Sequence, residues 1–295
     1  MFSQRTEPLA QACLPQSAPS AYSKEVRMTF INNSKGKSPI AWVGGKSQLT
    51  EKLIPLIPPH KGYVEVFAGA AWMLFRKPPS DTEIINDINS DLVTLYRVIQ
   101  NHLEEFVRYF KWVLVSREEF ERFKATDPAT LTDIQRAARF YYMVKMGFGA
   151  RLTNPSFGIG STQKPRLNLL RIEEDLSEAH LRLSRVFVDN RPYHDCIARF
   201  DRASTFFYID PPYWDCENVY GKGLFAKEDF ERLHDLLAKT KGKWLMSINN
   251  VPQIRKLFKD FNIREVGTNY SLAAGARFAV TELVISNYEL PAKPV

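Results

Sequence analysis

Two adjacent prolines, Pro211 and Pro212, set the tightest limit on how this chain folds. They follow residues 204–209, a run rich in β-branched and aromatic side chains that reads as a buried strand leading into Asp210. Neither proline can donate a backbone hydrogen bond, so the strand cannot continue past them. The carboxylate of Asp210 is thereby placed at the carboxyl end of a strand, where open α/β sheets hold their ligands. The turn beyond it is rich in carbonyl acceptors and poor in N–H donors. Tyr213 and Trp214 add flat faces beside those acceptors. Such a cluster suits a flat molecule bearing an NH2 group, such as a nucleobase. A capping Asp before a plain Pro-Pro turn is the bland alternative, and the attached Tyr213 favours the functional reading.

Further strands are expected at residues 62–67, 83–86, 186–189 and 243–248, separated by helical patterns, with an antiparallel pair at 261–270 and 278–286. The first of them runs into Phe67-Ala68-Gly69-Ala70-Ala71, a small-residue turn that opens a helix at Trp72. Small residues there let a cofactor approach the backbone and the helix N-terminus. The next strand ends at Asp87, an acid placed to hydrogen-bond ribose hydroxyls. Each piece alone is weak, and a solvated turn Asp explains Asp87 equally well. Taken in order, the two point to a nucleoside-containing cofactor. The turn is not Gly-x-Gly-x-x-Gly, which disfavours a dinucleotide.

Gly44-Gly45-Lys46-Ser47 invites a phosphate-loop reading, but Ile40 stands where that motif needs glycine and no strand precedes it. What remains is a glycine turn opening a helix over 48–56, whose first N–H groups and Lys46 could hold an anion such as a carboxylate. From this segment alone a plain helix start is the stronger reading.

Residues 89–112, 117–125 and 131–146 have helical periodicity, and a helix is expected again over 169–183. Between them, residues 147–166 form a break of about twenty residues, a length that in a compact domain is usually functional or disordered. It mixes Arg151, Lys164 and Arg166 with Asn154, Gln163, Phe148 and Phe157. Those are groups that contact phosphates and read base edges. A mobile surface loop is the simpler alternative, and the charge weighs against it. The net charge of +7 mildly favours a polyanionic partner.

Several classes are disfavoured. No apolar run is long enough to span a membrane, and the N-terminus lacks a signal-peptide core. Cys13, Cys196 and Cys216 have no metal-ligand spacing, and their small odd number suggests a reducing compartment, by default the cytoplasm. His60 and His194 read as ordinary polar residues, and no Ser/His/Asp set is visible. Residues 1–36, rich in Ser, Pro, Gln and Ala, read as a flexible tail, within which Met28 could be an internal start.

The ordered set Trp42-x-Gly44-Gly45-Lys46, Val64-Glu65-Val66-Phe67-Ala68-Gly69, Asn86-Asp87-Ile88-Asn89 and Asp210-Pro211-Pro212-Tyr213 resembles the Dam-like (D12 class) family of DNA adenine-N6 methyltransferases. The resemblance covers about residues 38–288. It implies an α/β fold: a Rossmann-like, S-adenosylmethionine-dependent methyltransferase sheet with an inserted helical target recognition domain. The catalytic domain would comprise 37–97 and 172–295, and the insert 98–171. The implied activity is site-specific methylation of adenine N6 in double-stranded DNA after base flipping, with no membrane and no obligatory protein partner. A methyltransferase acting on cytosine N4 or RNA, or an inactive DNA-binding relative, is the alternative.

Roles follow position by position. Asp210 and the Pro211 carbonyl, in the turn with Pro212, would hold the adenine amino group, and Tyr213 would stack on the extruded base. Trp42, Lys46, Phe67, Ala68 and Gly69 would line the S-adenosylmethionine pocket. Asp87 would hold the ribose, and Ile88 and Tyr193 would flank the cofactor's adenine. Arg151 falls in the loop that reads the target, with Asn154, Lys164 and Arg166 as further DNA contacts. Three positions depart from the family pattern. Ala70 and Ala71 stand where Gly or Ser is frequent, Ala41 where several relatives have a DNA-contacting Lys, and Pro192 at an often polar position. The second departure leaves the target sequence open.

Overall fold

The computed structural model describes residues 36–150, 153–158, 166–221, 223–271 and 277–291. Its seven strands are β1 (Gly62–Glu65), β2 (Thr82–Asn86), β3 (Val186–Asp189), β4 (Thr205–Ile209), β5 (Lys243–Asn249), β6 (Asn262–Ser271) and β7 (Arg277–Ser286). They form one sheet in the order β3-β2-β1-β4-β5-β7-β6. The first five are parallel, and β7 runs antiparallel to both neighbours. From β1 the chain builds outward through β2 and β3, then returns to place β4 on the other side of β1. That reversal opens a crevice at the carboxyl ends of β1 and β4, where ligands bind in such sheets. This is the mixed α/β architecture expected of a Rossmann-like methyltransferase.

The helices are α1 (Thr50–Leu53), α2 (Trp72–Arg76), α3 (Ser90–Asn101), α4 (Leu103–Phe110), α5 (Arg117–Ala125), α6 (Asp133–Met146), α7 (Ile172–Leu183), α8 (Tyr193–Phe200), α9 (Lys227–Lys239) and α10 (Pro252–Leu257). Every residue of β4 is buried, which is why its sequence is apolar throughout rather than alternating. The alternation survives in which face each residue serves. Tyr63, Phe206, Tyr208, Leu245 and Val284 face a cluster shared with α2, α3, α4, α6 and α7. Val64, Phe207, Ile209, Trp244 and Met246 face the opposite cluster, built with Phe230, Leu233 and Leu237 of α9 and Ile254 of α10. The helices of residues 98–171 thus pack on the same core as one face of the sheet.

Two helix expectations change, and the one over 48–56 is a short α-helix, Thr50–Leu53, followed by a 3-10 turn over Ile54–Leu56 that contains Pro55. Residues 89–112 are two helices, not one, because His102 leaves the helical region at φ −138° and ψ 37°. The break re-aims α4 so that Phe106 and Phe110 both pack edge-on against Tyr141 of α6, with ring centroids 5.6 and 5.7 Å apart. Helix starts follow sequence signals. The Asn89 side chain accepts from Asp91 N and Leu92 N, and Thr132 with Gln135 forms a capping box on α6. At the far edge, residues 282–286 of β7 pair with β5 as well as β6, while 277–281 pair with β6. A two-stranded ribbon therefore runs on past the carboxyl end of β5.

Candidate active site

The turn after β1 is held by backbone. Val66 N donates to Tyr208 O at 3.0 Å, and Ala68 N donates to Asn86 O at 2.9 Å. Gly69 sits at φ +47°, and a Cβ added there would lie 2.7 Å from Trp42 Nε1. The indole of Trp42 lies directly over the turn, so this position excludes any side chain. Ala71 also adopts a left-handed conformation at φ +49°. An alanine there carries a strain of roughly 1–2 kcal/mol that glycine would not, so the departure at Ala71 is one of backbone energy. Asp87, after β2, spans the gap to this turn. Its Oδ2 accepts from Gly69 N and its Oδ1 from Asn89 N, both at 2.9 Å. Burial raises the Asp87 carboxyl, while those backbone N–H groups pull it back.

The turn after β4 is held by side chains. Asp210 falls on the same face as Phe206 and Tyr208. Lys46, almost fully buried, places Nζ 2.7 Å from Asp210 Oδ1, donates to Gly44 O at 3.1 Å, and lies 4.6 Å from the centre of the Tyr213 ring. Ser247 of β5 donates to the same Asp210 oxygen at 3.3 Å. Burial pushes the Asp210 carboxyl up to about 6, with Lys46 opposing and Glu282 reinforcing the shift. The Tyr213 hydroxyl donates to Glu282 Oε1 at 2.6 Å.

Both turns open onto one cavity. Its walls include Trp42, Lys46, Phe67, Ala68, Gly69, Asp87 and Ile88 on one side and Asp210 and Pro212 on the other. Most of the sequence-derived set lines this cavity, while Pro211, Tyr213 and Tyr193 stand outside its lining. Tyr193 lies behind the wall, stacked on Phe67 at 5.7 Å and packed on Phe225 at 5.8 Å, with its hydroxyl on Asp229. Phe225 faces the cavity in front of it.

Among the wall residues that sequence reasoning did not assign to the site, four stand out by their contacts. Glu65 is fully buried, accepts from Tyr63 OH at 2.9 Å and Leu74 N at 3.0 Å, and is raised to about 8 by burial. The other three are Phe225, Glu217 and Tyr220, on the segment that crosses the cavity. Tyr220 stacks on Trp42 at 6.2 Å and donates to Val43 O at 2.9 Å. Only Glu65 had a signal, as the acid within the first strand.

In the loop after α6, Gly147 pairs with Phe157 in an isolated bridge, and Phe148 N donates to Ser156 O at 2.8 Å. Asn154, at φ +45°, and Arg166 are exposed, as is Phe148. Phe157 packs against Phe120 and beneath the Arg117 guanidinium. Thr153 reaches Val219 O at 3.5 Å, joining this loop to the segment over the cavity. Arg151 and Lys164 lie outside the described residues. Among the described residues no group of His, Cys, Asp and Glu could hold a metal ion, and no helix is long and apolar enough to cross a membrane.

Known proteins are similar to this chain in sequence. A type II methyltransferase, M.CviBI of Paramecium bursaria Chlorella virus NC1A, is 26% identical over 258 residues, covering 84% of this chain and 98% of its own. The type II methyltransferase M1.LlaDCHI of Lactococcus lactis subsp. cremoris is 26% identical over 275 residues, 84% of this chain and 94% of its own. The DNA adenine methylase of Escherichia coli strain K12 is 29% identical over 195 residues, 61% of this chain and 66% of its own. The family profile spans residues 42–272, both turns included. By that match the chain belongs to the D12 class N6 adenine-specific DNA methyltransferase family.

Proposed function

We propose that this chain methylates the N6 amino group of adenine at a specific site in duplex DNA, with S-adenosylmethionine as methyl donor. The observation that carries this reading is Asp210: a shielded carboxylate at a strand end, beside a donor-poor turn, across one cavity from a turn cradled by backbone. The closed approach at Gly69 suits a group lying against backbone, and Asp87, Ile88 and Phe67 would hold its nucleoside. Glu65, raised to about 8, would be drawn to its ionised form by the donor's ammonium, and the Lys46 cation suits the carboxyl group of the same amino-acid end. When bound, S-adenosylmethionine supplies an electrophilic methyl on a sulfonium.

The residues then act on the amine. The N6 lone pair of adenine is delocalised into the ring and is a weak nucleophile. Acceptance of its two hydrogens by Asp210 and by the Pro211 carbonyl favours a pyramidal nitrogen whose lone pair is free to attack. Positioning and electrostatics do the rest. The proton lost from N6 after the new bond forms has Asp210 as its nearest base. In B-form DNA the amine is inside the stack, so the base must leave the helix to reach Asp210. Tyr213 would then replace part of the lost stacking. Lys46 and Ser247 both engage Oδ1 of Asp210, so the amine would be accepted by Oδ2, or by Oδ1 once Lys46 moves aside.

Recognition is assigned to the segment 98–171, with Arg151 and Asn154 as base-reading candidates and Lys164 and Arg166 as phosphate contacts. The deciding experiment is expression in a bacterial host without DNA methylation, in whose cytoplasm the chain can act, followed by modified-base sequencing. N6-methyladenine at one short motif is the expected result. N4-methylcytosine, or unmodified DNA from soluble protein, would overturn the assignment.

A further inference from the structure

The sheet face that carries Asp210 has three polar residues that the chemistry above does not use. Ser247 and Asn249 of β5 share that face by their spacing of two, and Glu282 of β7 is directly opposite Asn249 in the ladder. Ser247 and Glu282 are fully buried. Each reaches a different residue of the turn. Ser247 donates to Asp210 at 3.3 Å, and Glu282 accepts from Tyr213 OH at 2.6 Å. Asn249 takes Trp214 at both ends, its Oδ1 accepting from Trp214 N at 3.0 Å and its Nδ2 donating to Trp214 O at 3.1 Å.

We propose that Ser247, Asn249 and Glu282 are positioning residues that hold the turn 210–214 in its working conformation. The claim rests on the methyl-transfer reading and deepens it. Its physical basis is that Pro211 and Pro212 give the turn almost no backbone donors of its own, so side chains of neighbouring strands must anchor it.

Hydrogen counting extends the cradle by one residue. A hydroxyl carries a single hydrogen, and an ionised carboxylate can only accept. Ser247 spends its hydrogen on Asp210, so the 2.7 Å contact with Tyr208 must be donated by the tyrosine. The result is a buried relay, Tyr208 to Ser247 to Asp210, that favours the ionised carboxylate. Glu282 acts the other way on Asp210, because its negative charge disfavours a second one nearby. The other titratable groups that sense Asp210 are Lys46 from the glycine turn, Glu65 of β1, Tyr208 of β4 and Tyr220 of the crossing segment.

Opposite signs make the test sharp. Ser247→Ala should move the acidic limb of kcat/KM up by about half a unit to one unit, because a hydrogen bond to the ionised form is lost. Glu282→Gln keeps an acceptor for Tyr213 and should move the limb down. Asn249→Ala should lower kcat about ten- to hundredfold with little change in KM for S-adenosylmethionine. Asn249→Asp should not rescue it, since Asp has no donor for the Trp214 carbonyl. S-adenosylmethionine binding by calorimetry confirms that each variant is folded. Limbs that stay in place or shift together would overturn the cradle, as would an Asn249→Ala enzyme with wild-type kcat. If the wild type methylates another base with the same opposed shifts, the cradle stands and the adenine reading falls. A wild type that methylates nothing overturns both.

Discussion

Asp87 and Asp210 are two carboxylates on the wall of one cavity, and they are held by different means. Asp87 has one oxygen on the N–H of Gly69 and the other on the N–H of Asn89. Asp210 is held by the ammonium of Lys46 and the hydroxyl of Ser247. Backbone N–H groups cannot leave without unmaking a turn, whereas a lysine can swing away. The first carboxylate is therefore part of the frame and the second is exchangeable. A site that must bind one ligand and then act on another needs one of each.

The largest expected effect comes from removing the exchangeable acid. Asp210→Asn should lower methyl transfer about a thousandfold or more, because the developing charge on N6 loses its partner. DNA binding should stay within about tenfold, since phosphate contacts carry most affinity. The comparison also makes a stability statement. Asp210 is raised to about 6 from an ordinary 3.8, so its ionised form costs folding stability above that pH, a cost relieved as pH falls from about 6 toward 3.8. Asp210→Asn should then unfold no earlier than wild type at pH 7.5 in a thermal melt. Transfer at wild-type rate would remove Asp210 from the chemistry.

Next in size, Asp87→Ala should weaken S-adenosylmethionine binding by about 1–3 kcal/mol in calorimetry. It should also lower the melting temperature, because Gly69 N and Asn89 N lose their acceptor. A variant with weaker binding and an unchanged melt would show that Asp87 is not part of the frame.

Lys46→Met tests exchangeability. Without the ammonium the Asp210 carboxyl should rise further, so the acidic limb of kcat/KM should move to higher pH. An unmoved limb of kcat beside a moved limb of kcat/KM would mean that Lys46 has left Asp210 in the working complex. The smallest effect belongs to neither acid. Arg166→Ala should weaken binding to all DNA sequences alike and reduce the salt slope by about one. A change in the methylated motif instead would make Arg166 a reader of bases.

The frame was more legible in the sequence than its wiring. Strand ends were readable because Pro211, Gly69 and Asp87 punctuate runs with strand composition. Asp210 could be placed at a strand end, beside a proline turn, from its neighbours in sequence alone. The break at His102 was not readable, because both flanking helices keep good periodicity and tertiary contact with Tyr141 decides the bend. Tyr220 and Ser247 left no local mark either. Tyr220 meets Trp42 across 178 positions of chain, and Ser247 meets Asp210 across 37, so only the folded sheet brings them together. Tyr193 was placed one layer too far forward, because its aromatic character marks a ring near the cavity and cannot say that Phe225 stands in front.

The antiparallel strand bears on how the protein is made. Among the described residues β7 is the last strand in chain order, yet it enters the sheet between β5 and β6. During synthesis β6 emerges without its neighbour, and β5 has one side open until β7 arrives. Glu282 is carried on that strand, so its hydrogen bond to Tyr213 waits on the pairing of β7 with β5, and a turn after β4 is completed by a residue 69 positions further along the chain.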